Sequence, residues 1–220
     1  TLEETLAQRA ADLTARRKAA AERLAAAVQE ELQALRMEKA AFAVQVRPHP
    51  GSEGFALQAY GADEVEFLIT PNPGEALKPL GRIASGGELS RVMLAIKAIL
   101  AASDQIPTLI FDEVDVGIGG GMAAVVGQKL WAIAAERQVL SITHLPQIAA
   151  LADRHLSIVK RTDGPRTEIA VQVLDGEERV REIARMLGAK GRSDTPLHHA
   201  REILETARRW KAAMTSGAST

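Results

Sequence analysis

The chain has 220 residues and a mass of 23.5 kDa, enough to bury a core and build one domain, or one domain with an appendage. Its 27 basic and 28 acidic residues leave a net charge of −1, so the totals show no dominant nucleic-acid-attracting field, and 3% aromatic content argues against a base-stacking platform. No apolar run reaches membrane-spanning length, TLEETLAQRA does not read as a signal peptide, and the absence of Cys excludes disulfides and thiolate metal sites.

From Leu2 to Lys39 there is neither Gly nor Pro, and Ala, Glu, Arg, Leu and Gln dominate, so the run predicts one long helix of roughly 55 Å. Leu6, Leu13, Ala20, Ala27 and Ala34 recur every seven residues, while Ala10, Arg17, Leu24 and Glu31 complete the alternating three-four pattern only in part. Two readings fit: an amphipathic surface helix, or a coiled-coil strand whose partner lies outside this chain.

Next come segments of alternating polarity. AFAVQVRPHP, GFALQAY and DEVEFLIT predict three short antiparallel strands, with Phe42, Val44 and Val46 on one face and Val65, Phe67 and Ile69 on another. Pro48, Pro50 and Gly51 make the first break, and Gly61-Ala62-Asp63 the second. A breaker-rich loop, PNPGEALKPLGRIASGG, delivers the chain to a helix over 86–102. Strand 107–111, helix 122–136, strand 138–143 and a short helix ending near Leu151 follow. Strands 155–161 and 167–174 flank the turn Thr162-Asp163-Gly164-Pro165, and helices near 177–187 and 196–211 precede a tail. Strands alternating with helices predict an α/β fold with a mostly parallel sheet and functional loops at the strands' carboxyl ends.

Three segments carry chemistry. In ASGGELSR, Ser85 as N-cap and Glu88 three residues later predict a capping box, while Gly86 and Gly87 bare backbone N–H groups at the positive helix end, where an anion can approach. A cap alone does not require two glycines. In TLIFDE, an apolar strand runs into Asp112 and Glu113, the form of a Walker B segment: the first carboxylate suits Mg²⁺ and the second can polarise a water. A strand simply ending in solvated acids is the plain alternative. SITH ends the next strand in His144, which serves either a structural role or, beside Glu113, a terminal phosphate.

Together SGGELSR, LIFDEVDVGIGG and SITHLPQIA resemble the series found in ABC ATPases, and specifically the RecN family, which is related to the structural-maintenance-of-chromosomes (SMC) proteins. The segments DEVEFLITPNPGEALKPLG and HLSIVKRTDGPRTE extend the resemblance across roughly residues 42–190. It implies the C-terminal lobe of an ABC-type ATPase head over 41–213, a coiled-coil arm helix over 1–40 and a disordered tail over 214–220. It implies that Ser85, Gly86, Gly87 and Glu88 form the signature that contacts ATP on the opposite subunit. Asp112 is then the magnesium-side carboxylate, Glu113 the catalytic base and His144 the γ-phosphate sensor. Asp115, Gly117 and Gly119 lie in the D-loop at the dimer interface, where many relatives place an aspartate at the position of Gly119.

No G-x-x-x-x-G-K-[ST] occurs; Gly127-Gln128-Lys129 has the wrong spacing. The expected activity is therefore that of an ATPase half-domain, with ATP and Mg²⁺ as cofactors and the Walker A segment supplied by an N-terminal half. A second head, an antiparallel coiled-coil helix and DNA are partners by resemblance; a membrane is not. The implied setting is double-strand-break repair and recombination in the cytoplasm, at the nucleoid. Two alternatives stand beside it. One is the nucleotide-binding subunit of an ABC transporter, disfavoured by the long helix and by SGGELSR. The other is a non-enzymatic coiled-coil module, disfavoured by the intact Asp112-Glu113 pair and His144.

Overall fold

The computed structural model describes residues 1–49, 57–72, 74–83, 85–101, 105–163, 166–189 and 194–217, which divide into two compact units, Thr1–Gln105 and Ile106–Thr220. In the first unit, α1 spans Leu2–Ala34 and packs on β1 (Ala41–Pro48) and on α2 (Gly86–Ile99). Ala10, Ala21, Val28 and Leu32 form its buried face. That face is not the heptad stripe: Leu6 and Leu13 stay exposed on the adjoining side. The helix ends earlier than its composition suggests because the Arg36 and Met37 N–H groups bond back to the carbonyls of Gln33 and Leu32, with Arg36 left-handed at φ 50°. This is a Schellman stop with arginine where glycine is usual, invisible to a search for glycine.

β1 pairs antiparallel with β2 (Asp63–Thr70), and the two expected faces meet as cross-strand partners: Phe42 opposite Ile69, Val44 opposite Phe67, Val46 opposite Val65. Among the described residues, the other partner of β2 is β3, Lys78–Pro79, inside the breaker-rich loop. Of the expected strand GFALQAY, residues 54–56 lie outside the described residues, and Gln58 forms an isolated bridge with Gly61. Gln29 of α1 joins helix to sheet by donating to the Ala40 carbonyl at 2.8 Å and accepting the Phe42 N–H at 3.2 Å. Buried Asp63 makes a second junction, accepting from Thr14 Oγ1 at 2.8 Å and from Arg17 Nη1 at 3.0 Å. Arg17 also bonds the Tyr60 carbonyl. Gly61 permits this approach: its φ is +114°, and a Cβ there would lie 2.9 Å from both Arg17 and Leu13.

In the second unit, β4 (Thr108–Phe111) and β5 (Gln138–Ser141) pair in parallel, joined by α3 (Gly120–Ala134). Alternation divides their faces: Leu109 and Phe111 are buried, whereas Ile110 is 70% exposed and faces outward with Leu140 and Ile142. α4 (Pro146–Leu151) lies so close to α3 that a Cβ on Gly127 would come 2.7 Å from Leu151. β6 (His155–Asp163) and β7 (Arg166–Leu174) form an antiparallel pair, so parallel pairing is confined, among the described residues, to β4–β5. A short link allows only an antiparallel return, whereas a parallel pair needs a crossover such as α3. α5 (Gly176–Met186) and α6 (Asp194–Gly217) close a core of Leu151, Val180, Ile183, Ala184, Ala200 and Ala207. Trp131 and Trp210 meet edge to face at 5.3 Å. α6 runs through Gly217, into the span read as a tail, with Thr215 and Ser216 hydroxyls bonding back to the carbonyls of Lys211 and Ala212.

One buried histidine makes this unit sensitive to acid. Burial, and then the Arg179 cation, hold the His155 imidazole below its usual range, with Glu182 opposing. A depressed histidine binds its proton more weakly in the native state, so stability falls as pH drops below the unfolded value of about 6.5. Glu182 is lowered first by its hydrogen bond from Arg185, and its contribution is lost only near and below an unfolded value of about 4.3. Denaturation midpoints followed by tryptophan fluorescence are therefore expected to fall between pH 7 and pH 5, and His155→Gln to flatten that slope.

Candidate active site

The site begins where β4 ends. The Ile142 N–H reaches the Phe111 carbonyl at 3.0 Å, continuing the parallel ladder one step past β5. Asp112-Glu113 and Thr143-His144 therefore leave the sheet at the same carboxyl edge, where ligands bind in open α/β sheets. The sequence expected this neighbourhood, and parallel pairing in register supplies it.

Asp112 and Glu113 are exposed. Asp112 Oδ1 accepts the Glu113 N–H at 2.9 Å, which orients the pair. Glu113 is left-handed at φ 57°, a conformation that costs a residue with a Cβ about 1–2 kcal/mol. Such strain persists where the surroundings impose it, commonly at functional sites. Here a turn imposes it: the Val116 N–H closes onto the Glu113 carbonyl at 3.1 Å.

That turn sends Asp115 inward. Its side chain is 3% exposed, and one oxygen, Oδ2, accepts from Thr143 Oγ1 at 2.5 Å and from the His144 N–H at 2.8 Å, with His144 Nδ1 facing it at an ion-pair distance of 3.0 Å. Thr143 Oγ1 in turn accepts the Leu145 N–H at 3.0 Å, shaping the entry to α4. The His144 ring remains 69% exposed. Gly117 needs its glycine, with φ +75°; Gly119, the N-cap of α3, has ordinary extended dihedrals and open space around it.

Ser85, Gly86, Gly87 and Glu88 belong to the other compact unit. Ser85 caps α2 by accepting the Glu88 N–H at 3.4 Å; Ser85 and Gly86 are exposed, whereas Gly87 is buried. The structure thus brings Asp112, Glu113, Asp115 and His144 to one sheet edge, and Ser85, Gly86, Gly87 and Glu88 to the start of α2. The motif reading missed Thr143, whose signal was a hydroxyl directly before the strand-terminal histidine.

For magnesium, the donor set fits. Among the described residues no group of three His, Cys, Asp or Glu side chains could cage a metal. Mg²⁺ instead favours one or two carboxylates completed by water and substrate phosphates, and exposed Asp112 offers a hard oxygen at the open sheet edge.

No family model matches the chain. Curated relatives do. It is 49% identical over 203 residues to the DNA repair protein RecN of Streptomyces coelicolor, covering 89% of this chain and 36% of that protein. With RecN of Bacillus subtilis it shares 41% over 212 residues, covering 92% and 37%. The chain thus spans about a third of the length of these relatives. Among solved structures, an SMC head domain with a coiled coil and joint from Pyrococcus yayanosii matches with a TM-score of 0.52 and 19% identity, covering 74% of this chain and 29% of that one. That likeness supports the fold: the C-terminal lobe of an ABC-type head preceded by a long helix. Along about nine-tenths of its length, the chain carries RecN-family sequence.

Proposed function

We propose that this chain is the signature-and-acid half of a RecN-type ATPase head, hydrolysing ATP in double-strand-break repair and recombination once an N-terminal half supplies the phosphate loop. The observation that carries the reading is the arrival of Asp112, Glu113 and His144 at one edge of the parallel pair β4–β5. In this role Glu113 takes a proton from the attacking water, and its turn holds the carboxylate outward. His144 presents its free ring edge to the terminal phosphate of the same nucleotide. Asp112 holds Mg²⁺, which supplies neutralisation of phosphate charge when bound. Ser85, Gly86 and the first-turn N–H groups of α2 reach ATP bound on a second head, and the 115–119 loop lies at that head-to-head interface.

Two surface features favour a missing half. Ile110, Leu140 and Ile142 form one exposed apolar face, and Leu156, Ile158, Ile169, Val171 and Val173 form another on β6–β7. Apolar faces of this kind mark contact surfaces. The exposed Leu6 and Leu13 stripe suits an antiparallel arm helix. DNA is proposed as a partner, and the nucleoid as the setting, from the relatives' role in repair. No described helix is long and apolar enough to cross a membrane.

The test is reconstitution. The 220-residue chain alone is expected to show no ATP hydrolysis above background, and addition of the N-terminal half of the same protein to restore it. Robust turnover by the chain alone would overturn the proposal.

A further inference from the structure

Resting on that reading of the site, we infer that Asp115 is the positioning residue of His144: its buried carboxylate grips the imidazole at Nδ1 and so commits Nε2 to the phosphate. The role expected from its place in the loop was at the interface with a second head. The geometry points elsewhere, because a side chain 3% exposed, with Oδ2 bonded by two donors and 3.0 Å from His144 Nδ1, faces into its own lobe.

The physical argument starts from the cost of burial. An ionised carboxylate out of water is tolerated only when paired and hydrogen-bonded. Among the described residues, the ionic partner of Asp115 is His144, and no Lys or Arg pairs with it. The remaining compensation comes from Thr143 Oγ1 and the His144 N–H. Both donors and the facing ring nitrogen belong to Thr143 and His144, so the carboxylate meets backbone and ring of the switch residue together. A histidine whose Nδ1–H is held by a carboxylate has its tautomer and ring plane set, and the other nitrogen is the one left to act. That nitrogen sits on a ring 69% exposed at the sheet edge beside Glu113. Thr143 completes the clamp by accepting the Leu145 N–H while donating to Asp115.

A plain alternative is that Asp115 only braces the turn. Asp115→Asn separates the two, since its amide oxygen can still accept from Thr143 and the His144 N–H while the charge that favours Nδ1–H is gone. The first arm uses the 220-residue chain labelled with ¹⁵N at histidine. Wild-type His144 is expected to show a protonated Nδ1, and Asp115→Asn to shift it toward the Nε2–H tautomer. An unchanged His144 spectrum overturns the inference whatever the ATPase does.

The second arm uses the head reconstituted with its N-terminal half. Asp115→Asn is expected to lower kcat at least tenfold with KM for ATP changed less than threefold. The same substitution in a His144→Ala background is expected to add less than twofold. An undiminished tenfold loss there shows action through something other than His144 and overturns the inference. Thr143→Ser should retain activity within about threefold, whereas Thr143→Val should follow Asp115→Asn; equal loss in both Thr143 variants counts against the clamp. If His144→Ala itself leaves turnover intact, the reading of His144 as phosphate sensor fails, and the tautomer measurement still decides whether Asp115 holds the ring.

Discussion

Glu113→Gln in the reconstituted head is expected to slow ATP hydrolysis by at least two orders of magnitude while leaving ATP-dependent pairing of heads in place. The amide is nearly isosteric, keeps the backbone N–H that bonds Asp112 Oδ1, and preserves the turn closed by Val116. What it removes is a base, and a positioned general base contributes roughly 10²–10⁴-fold. Binding should persist because the proposed head assigns nucleotide affinity to the phosphate loop, to Asp112 and to the opposing signature, and leaves Glu113 to the chemistry. The measurement is steady-state phosphate release, with sedimentation in ATP reporting pairing. Unchanged turnover would remove Glu113 from the chemistry.

Arg179→Met should produce the largest loss of stability in the second unit. One guanidinium nitrogen, Nη2, lies against three carbonyls at the end of α4: Ala149 at 3.1 Å, Ala150 at 3.0 Å and Ala152 at 2.8 Å. A helix of six residues leaves most of its last carbonyls without internal partners; Ala149 accepts the Ala152 N–H at 3.3 Å, and a side chain from α5 serves all three. Burial lowers the Arg179 pKa from its ordinary value, with Asp153 and Asp175 opposing, and hydrogen bonds from a cationic donor are the stronger kind. Methionine keeps the apolar stem and removes every donor, taking this partner from the Ala150 and Ala152 carbonyls at a loss of about 3 kcal/mol. Lysine should recover part of this by reaching one or two of the carbonyls. Both tryptophans, Trp131 and Trp210, lie in this unit, so fluorescence during urea denaturation reads it selectively. A midpoint within error of wild type would show the three-carbonyl cap to be dispensable.

The two results bear on one another. α4 follows directly from Leu145, whose N–H is held by Thr143. Loosening its far end in Arg179→Met should therefore reduce turnover as well, though less than Glu113→Gln does.

Local chemistry in the sequence settled which elements form and which residues carry reactive groups. A glycine-free, proline-free run makes α1; alternation makes β1 and β2 and pairs their faces; Ser85 before two glycines starts α2; an apolar strand ending in Asp112-Glu113 places acids at a sheet edge. These are short-range effects, governed by backbone propensity and by a side-chain period of two or three to four. Other features needed the folded chain. Which face of α1 is buried depends on β1 and α2, and the packed face is Val28 and Leu32 rather than the heptad stripe. The stop at Arg36 depends on carbonyls in the preceding turn, and β3 exists only because β2 offers an edge to Lys78 and Pro79. The inward turn of Asp115 was decided the same way. By residue type it is one more acid after Asp112 and Glu113, and only parallel pairing of β4 with β5 brings Thr143 and His144 within reach of its carboxylate. Sequence pattern records what each residue can do within a few positions of itself; hydrogen bonds across 28 and 29 residues exist only once the sheet has formed.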